Sequence, residues 1–272
     1  MIIRLRLIYV IGCAVLGAAI LAPLQWLLVS TRAAPPSAIA SFYCRFLCHL
    51  IGLRITRMSP GSLPQGPALL APNHVSWTDI LVLASCGATS FLAKKEVANW
   101  PVVGLLARLH GVVFVDRERR RSIIPANRSM TEVLEKGGTV VLFPEGTTND
   151  GLRLKPFKSS HFEAGKSFLN SRGPDGSLGV TAIALDYGYR HALPASRAER
   201  ARMAWYGETG LLPHLQDLLR LGHFECRISI MPEIRFDRTM DRKEMARRTG
   251  ELIRAELIRI QNANPARPPS KG

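Results

Sequence analysis

The chain has 272 residues, of which 47% are hydrophobic, and its formal net charge at pH 7 is +15. This length allows one large domain, or one domain with an appendage, and the positive charge leaves nucleic acid and an anionic membrane surface as common partners. The charge is spread along the chain without a nucleic-acid-binding motif, so we expect membrane lipid and no nucleic acid. The five cysteines form no disulfide framework, which is typical of a reducing, cytoplasmic compartment.

The first apolar segment is long enough to cross a membrane. No side chain from Leu7 to Val29 is charged, and a helix over that range is ~34 Å long, against a hydrocarbon core of ~30 Å. A cleaved signal peptide is the alternative, but its apolar core usually has ~7–15 residues, and no small-x-small cleavage site follows. We therefore predict a retained membrane segment.

A second helix follows the break at Pro35–Pro36. Apolar residues recur at helical spacing from Ile39 to Ile51, which predicts an amphipathic helix able to lie in the membrane interface. Cys44 and Cys48 lie on it, and we interpret them as packing groups rather than metal ligands. Residues 1–58 are thus predicted to form a membrane anchor, either a transmembrane helix or a monotopic helix pair.

After a linker rich in Pro and Gly, short apolar strands alternate with helices, which is typical of an α/β domain. The predicted strands are Ala68–Ala71, Ser90–Ala93, Val112–Val115, Thr139–Phe143, Gly179–Tyr187 and Glu225–Met231. The predicted helices are Trp77–Ser85, Ser122–Glu135 and Asp241–Gln261. We predict a mixed sheet flanked by helices over residues 59–262, followed by a disordered tail over 263–272.

The first candidate catalytic pair is His74 and Asp79, at the end of an apolar strand and the start of a helix. Asp79 can fold back toward one ring nitrogen of His74, which would fix the tautomer and leave the other nitrogen as a general base. A histidine that caps a helix beside a surface aspartate is the alternative. The pair alone does not separate these interpretations.

The second candidate is the segment Phe143–Thr147, where a buried strand runs into Pro, Glu and Gly. Glu145 would lie at the carboxyl end of a strand, where α/β sheets usually bind their ligands. Gly146 permits close approach of a ligand to the backbone. An ordinary exit from a strand, with a solvated Glu145, fits the same pattern.

A third strand, within Gly111–Arg117, also ends in charged residues. Arg117 is a candidate anion contact, and the basic run Arg119–Arg121 follows it. That run is typical of a solvated surface, and contact with anionic lipid or an acidic carrier protein is the more specific hypothesis.

Together the three segments resemble the lysophospholipid acyltransferase family, in order and in spacing. His74 and Asp79 match its His-x4-Asp motif, Gly111–Arg117 matches Gly-x-x-Phe-x-x-Arg, and Phe143–Thr147 matches Phe-Pro-Glu-Gly-Thr. The resemblance covers about residues 67–232, and it also fits the apolar N-terminal segments.

The resemblance implies direct acyl transfer with no covalent enzyme intermediate, no metal and no redox cofactor. His74 would deprotonate the acceptor hydroxyl and Asp79 would orient His74. The donor would be a thioester of acyl carrier protein or coenzyme A. The substrate-binding residues implied are Arg117, Glu145, Gly146, Thr147 and Lys158. The expected location is the bacterial inner membrane, with the catalytic domain facing the cytoplasm.

The acceptor is indicated by a departure from the family pattern. Members that form phosphatidate often carry Arg and Ser after Glu-Gly-Thr, whereas this chain has Thr148 and Asn149. The missing guanidinium disfavours a phosphate. The segments Ala204–Gly207 and Pro213–Leu215 also look like the branch that acylates lyso-ornithine lipid. We therefore expect a lyso-ornithine lipid hydroxyl as acceptor, with 1-acyl-sn-glycerol-3-phosphate as the alternative.

Overall fold

The computed structural model describes residues 2–31, 37–88, 90–94, 113–115, 123–172, 176–191 and 193–262. It confirms the predicted fold class, because a mixed sheet is flanked by helices on both faces. The strands are β1 Leu53–Arg57, β2 Ala68–Pro72, β3 Ser90–Lys94, β4 Val113–Val115, β5 Thr139–Val141, β6 Ser177–Arg190, β7 Leu193–Pro194 and β8 Phe224–Asp237. The helices are α1 Ile2–Ser30, α2 Ser37–Ile51, α3 Thr78–Ser85, α4 Ile123–Glu135, α5 Glu163–Ser171, α6 Arg197–Met203, α7 Leu211–Leu221 and α8 Arg242–Asn262, with a 3₁₀ turn at Ser159–Phe162. The predicted disordered tail lies outside the described residues.

The strand order is β1-β8-β6-β2-β5-β3-β4, with β7 paired to β6. Strand β8 runs antiparallel to β6, and the pairs on either side of them are parallel. Strand β2 lies in the middle of the sheet with all five residues buried, which explains why its sequence is apolar without alternation. Because β2 and β5 are parallel neighbours, the loops after them meet at one edge of the sheet.

Two strands are longer than predicted by several residues, and one is shorter. β6 and β8 each have 14 residues, because they pair along most of their length, with irregularities at Thr181–Ile183 and Asp186–Tyr189. The predicted strand Thr139–Phe143 ends at Val141. Leu142 still donates its backbone N–H to the Leu70 carbonyl of β2 at 2.9 Å, and the chain then turns at Pro144 and Glu145.

The N-terminal helices pack on the α/β domain. Tyr43 of α2 donates a hydrogen bond to the Ala14 carbonyl of α1 at 2.6 Å, and Arg6 of α1 donates to the Leu219 carbonyl of α7 at 2.7 Å. Cys44 and Cys48 are buried in the same core cluster as α3. Among the described residues, α1 is the one helix long and apolar enough to cross a membrane, over Ile2–Leu28. This apolar helix indicates membrane association.

Candidate active site

The loop after β2 carries His74 and folds it back onto the first turn of α3. His74 Nδ1 lies 2.8 Å from Asp79 Oδ2. The same oxygen accepts the backbone N–H groups of Val75 at 2.7 Å and Ser76 at 3.0 Å. Asp79 is fully buried, whereas 14% of the His74 side chain is exposed. The carboxylate is therefore fixed by the protein, and the imidazole reaches the surface of the site.

The other carboxylate oxygen of Asp79 has a partner that lies far away in the sequence. Tyr187 of β6 donates its hydroxyl to Asp79 Oδ1 at 2.7 Å, and accepts a hydrogen bond from the Thr78 hydroxyl at 2.9 Å. Burial and the nearby charge of Asp79 raise the pKa of Tyr187 well above its ordinary value. Tyr187 thus stays protonated and remains a donor to the carboxylate.

These contacts determine the tautomer of His74. Two backbone N–H groups donate to Asp79 Oδ2, so this carboxylate oxygen is an acceptor. The hydrogen of the bond between His74 Nδ1 and Asp79 Oδ2 is therefore carried by His74 Nδ1. In the neutral imidazole Nε2 is then the free acceptor. The ring also stacks on Phe143, with 3.8 Å between ring centroids and 20° between planes. This arrangement is suited to general-base chemistry at Nε2.

Glu145 connects the loop after β5, on which it lies, with the loop after β2 that carries His74. Its Oε1 accepts the backbone N–H of His74 at 2.7 Å. Its Oε2 accepts the backbone N–H of Lys155 at 2.9 Å and the side-chain amide of Asn149. Burial raises the pKa of Glu145, and these hydrogen bonds act in the opposite direction. The geometry gives Glu145 a positioning role for His74, and its contact with substrate stays a prediction.

The other predicted substrate-binding residues lie around the same loop. Gly146 has φ +77°, and a Cβ there would lie 2.8 Å from Lys158 Nζ, so a larger residue would be strained and would crowd that lysine. Lys158 and Thr147 are exposed. Arg117 lies outside the described residues, so its role stays a prediction.

A group of residues that contact the loop carrying His74 was not predicted as part of the site. Trp77 donates its indole N–H to His214 Nδ1 at 2.9 Å, and His214 Nε2 lies 3.0 Å from the Ala204 carbonyl. The backbone N–H of Trp205 donates to the Val75 carbonyl at 2.9 Å. Burial lowers the pKa of His214. These contacts come from Ala204–Gly207 and Pro213–Leu215, the two segments that look like the lyso-ornithine lipid branch. They hold the loop after β2 at Val75 and at Trp77, on either side of Ser76.

No metal ligand set accompanies this site in the parts of the chain that the structure covers. Within them, no three His, Cys, Asp or Glu side chains are grouped so that they could hold an ion. The residues at the site supply hydrogen-bonding and acid–base groups.

Comparison with known proteins gives consistent results. The sequence profile of the Acyltransferase family matches residues 54–173. The chain is 40% identical to a lyso-ornithine lipid O-acyltransferase of Rhizobium meliloti (strain 1021), covering 88% of this chain and 81% of that protein. It is 34% identical to the protein of the same name in Brucella abortus (strain 2308), covering 94% and 96%.

Two further proteins carry a different name. A 1-acyl-sn-glycerol-3-phosphate acyltransferase of Neisseria meningitidis serogroup B is 34% identical, covering 75% of this chain and 74% of that protein. The crystal structure of the 1-acyl-sn-glycerophosphate acyltransferase of Thermotoga maritima superposes with a TM-score of 0.68, at 17% identity, covering 96% of this chain and 97% of that chain. This structure supports the fold alone.

Proposed function

The chain belongs to the Acyltransferase family, and from that premise we propose that it transfers a fatty acyl chain from a thioester to the hydroxyl of lyso-ornithine lipid. The observation that carries the chemistry is the contact of His74 Nδ1 with buried Asp79, which leaves Nε2 free. The names of the two relatives and the residue at position 148 support the choice of acceptor.

The proposed reaction proceeds without a covalent enzyme intermediate. Nε2 of His74 takes the proton of the acceptor hydroxyl as its oxygen attacks the thioester carbonyl carbon. The tetrahedral adduct collapses with cleavage of the C–S bond, and the proton passes from His74 to the departing thiolate. The products are an ester and a free thiol. Asp79 stabilises the imidazolium that forms in between, and Tyr187 and two backbone N–H groups hold Asp79 in place.

The donor is proposed to be acyl carrier protein or acyl-coenzyme A. Both present a thioester at the end of a flexible arm, and the exposed edge of His74 is accessible to such an arm. The net charge of +15 favours approach of an acidic carrier. A side-by-side assay with each donor separates the two.

The acceptor assignment is tested by direct competition. Full-length protein in vesicles is given one thioester donor with lyso-ornithine lipid or with 1-acyl-sn-glycerol-3-phosphate, and products are quantified by mass spectrometry. We expect kcat/KM at least about tenfold higher for lyso-ornithine lipid, because Thr148 offers no guanidinium to a phosphate. The opposite preference would assign phosphatidic acid synthesis instead.

The enzyme is proposed to act at the bacterial inner membrane with its catalytic domain facing the cytoplasm. The five cysteines are free thiols, which agrees with a reducing compartment. Helix α1 contacts α7 of the domain at Arg6 and packs against α2 at Ala14, so the two N-terminal helices lie together against the domain. These contacts favour one of the two predicted arrangements, a helix pair inserted into one leaflet. They disfavour a single helix that crosses the bilayer away from the domain.

Polar substitutions on the outer face of α1 are expected to weaken membrane binding. Ile8, Leu16 and Ile20 are more than 60% exposed, and burying each in lipid contributes about 1–2 kcal/mol. The triple change to Gln should therefore lower partitioning onto vesicles at least ~100-fold, measured by flotation over a range of lipid concentrations.

The matched control changes three exposed apolar residues of the catalytic domain to Gln. These residues are Leu193, Leu212 and Leu252. Partitioning of this control should stay within about twofold of the parent. Equal losses in the two triple variants would contradict the assignment of α1 as the membrane-binding element.

A further inference from the structure

A pocket adjoins the loop that carries His74. It has a volume of about 370 Å³ and is bounded by the loop after β2, the loop after β5 and the C-terminal half of α8. Asn73 and Val75, the chain neighbours of His74, both line it, as does Glu145, which accepts the His74 N–H. Consecutive Cα atoms are ~3.8 Å apart, so the pocket begins within a few ångström of the catalytic backbone.

The lining combines apolar side chains with two arginines. The apolar part includes Leu154, Leu257 and Ile258, and Ile258 is 55% exposed. Arg153 comes from the loop after β5, and Arg254 comes from α8. Such a lining suits an amphipathic ligand, with an anionic group at the arginines and methylene groups against the leucines.

Neither pocket arginine has an ion-pair or hydrogen-bond partner within the residues that the structure describes. Other arginines of α8 are paired: Arg247 contacts Glu244 and Glu251, and Arg259 contacts Glu256. The one carboxylate in the pocket lining is Glu145, and both of its oxygens already accept hydrogen bonds from the protein. The two guanidinium groups are therefore available for an external oxyanion.

We propose that this arginine pocket, formed by Arg153 and Arg254, binds the oxyanion of the acceptor headgroup, a carboxylate or a phosphate. The inference rests on the proposed function. In both candidate acceptors the reacting hydroxyl lies only a few bonds from an oxyanion, which is a carboxylate in lyso-ornithine lipid and a phosphate in 1-acyl-sn-glycerol-3-phosphate. In a pantetheine thioester, by contrast, the whole pantetheine chain separates the phosphate from the reacting carbonyl carbon. A pocket next to His74 therefore matches the acceptor better than the donor.

The pocket places its guanidinium groups elsewhere than position 148, where members that form phosphatidate often carry Arg. Position 148 is Thr, but Arg153 follows in the same loop, and α8 contributes a second guanidinium. Two guanidinium groups approaching from different elements can hold a carboxylate in one orientation. The headgroup would be fixed while the hydroxyl lies at His74 Nε2.

The test measures KM and kcat separately for acceptor and donor. Full-length Arg153→Gln, Arg254→Gln and the double variant are compared with Arg248→Gln, an exposed arginine of α8 that does not line the pocket. We expect the acceptor KM to rise about tenfold in each single variant and further in the double variant, with the donor KM unchanged. Both acceptors are assayed, so the carboxylate and the phosphate are separated. A double variant whose acceptor KM stays within twofold, or whose donor KM rises instead, would overturn the proposal.

A binding experiment keeps this inference separate from the proposed function. His74→Ala protein, with and without the two pocket substitutions, is titrated with radiolabelled lyso-ornithine lipid, 1-acyl-sn-glycerol-3-phosphate and the uncharged 1-acylglycerol. Arginine-dependent binding of the two lipids that carry an oxyanion, and not of 1-acylglycerol, supports the pocket even if the parent enzyme transfers no acyl chain. Equal binding of all three lipids with and without the arginines refutes it. Absence of transfer by the parent enzyme refutes only the proposed function.

Discussion

Replacing His74 by alanine is expected to reduce the rate of acyl transfer by at least about 10²–10⁴-fold, because a positioned general base contributes that much. His74 Nδ1 is held by Asp79, and the free Nε2 is the atom that would take the proton of the acceptor. The measurement is kcat at saturating donor and acceptor, with full-length protein in vesicles.

The matched control is His223→Ala, which removes an exposed imidazole immediately before β8. Its kcat should equal that of the parent. Loss of the His74 ring also removes its stacking on Phe143, so thermal unfolding of both variants is compared to exclude a collapsed loop. A folded His74→Ala protein with full activity would disprove the general-base mechanism.

Asp79→Asn is expected to lower kcat by a similar factor, roughly 10²–10⁴-fold, while the protein remains folded. The amide keeps one oxygen for the N–H groups of Val75 and Ser76, but it removes the negative charge that stabilises the imidazolium of His74. The acceptor KM should change little, because Asp79 is fully buried and has no surface for a substrate. A rise in KM with unchanged kcat would contradict this role.

Tyr187→Phe tests the contribution of Asp79 orientation to kcat, because it removes a hydrogen bond to Asp79 and leaves the charge of Asp79 in place. The substitution removes the hydrogen bond to Asp79 Oδ1 and leaves the Thr78 hydroxyl without its acceptor. We expect a loss in kcat of about tenfold, equivalent to one hydrogen bond to a charged group. Tyr189→Phe, on the same strand but with its ring beneath Arg227, should leave kcat unchanged. Equal effects of the two variants would mean that Tyr187 supports the strand and not the catalytic pair.

Much of the fold could be predicted from local pattern. β2 is apolar throughout because both faces are buried, and the periodic spacing over Ile39–Ile51 predicts α2. The full extent of β6 and β8 could not be predicted, because each is extended by pairing with the other and not by its own composition. The membrane anchor over residues 1–58 stays a prediction, and α2 shares a core cluster with α3.

The sequence by itself determined which residues are candidates for the chemistry. His74, Asp79 and Glu145 occur in ordered motifs, and it is the order of these motifs, not the spacing of one pair, that favours contact between His74 and Asp79. Only the tertiary structure decided what holds them. Tyr187 lies 108 positions from Asp79, and His214 lies 137 from Trp77.

These partners could not be predicted from the sequence for a physical reason. A hydrogen bond requires two heavy atoms about 3 Å apart, and no local sequence pattern encodes which distant strand or helix supplies the partner. Tyr187 reaches Asp79 because β6 lies beside β2, and because an irregularity in its pairing with β8 falls at Asp186–Tyr189. The arginine pocket has the same origin: Arg153 and Arg254 come together because α8 packs against β6.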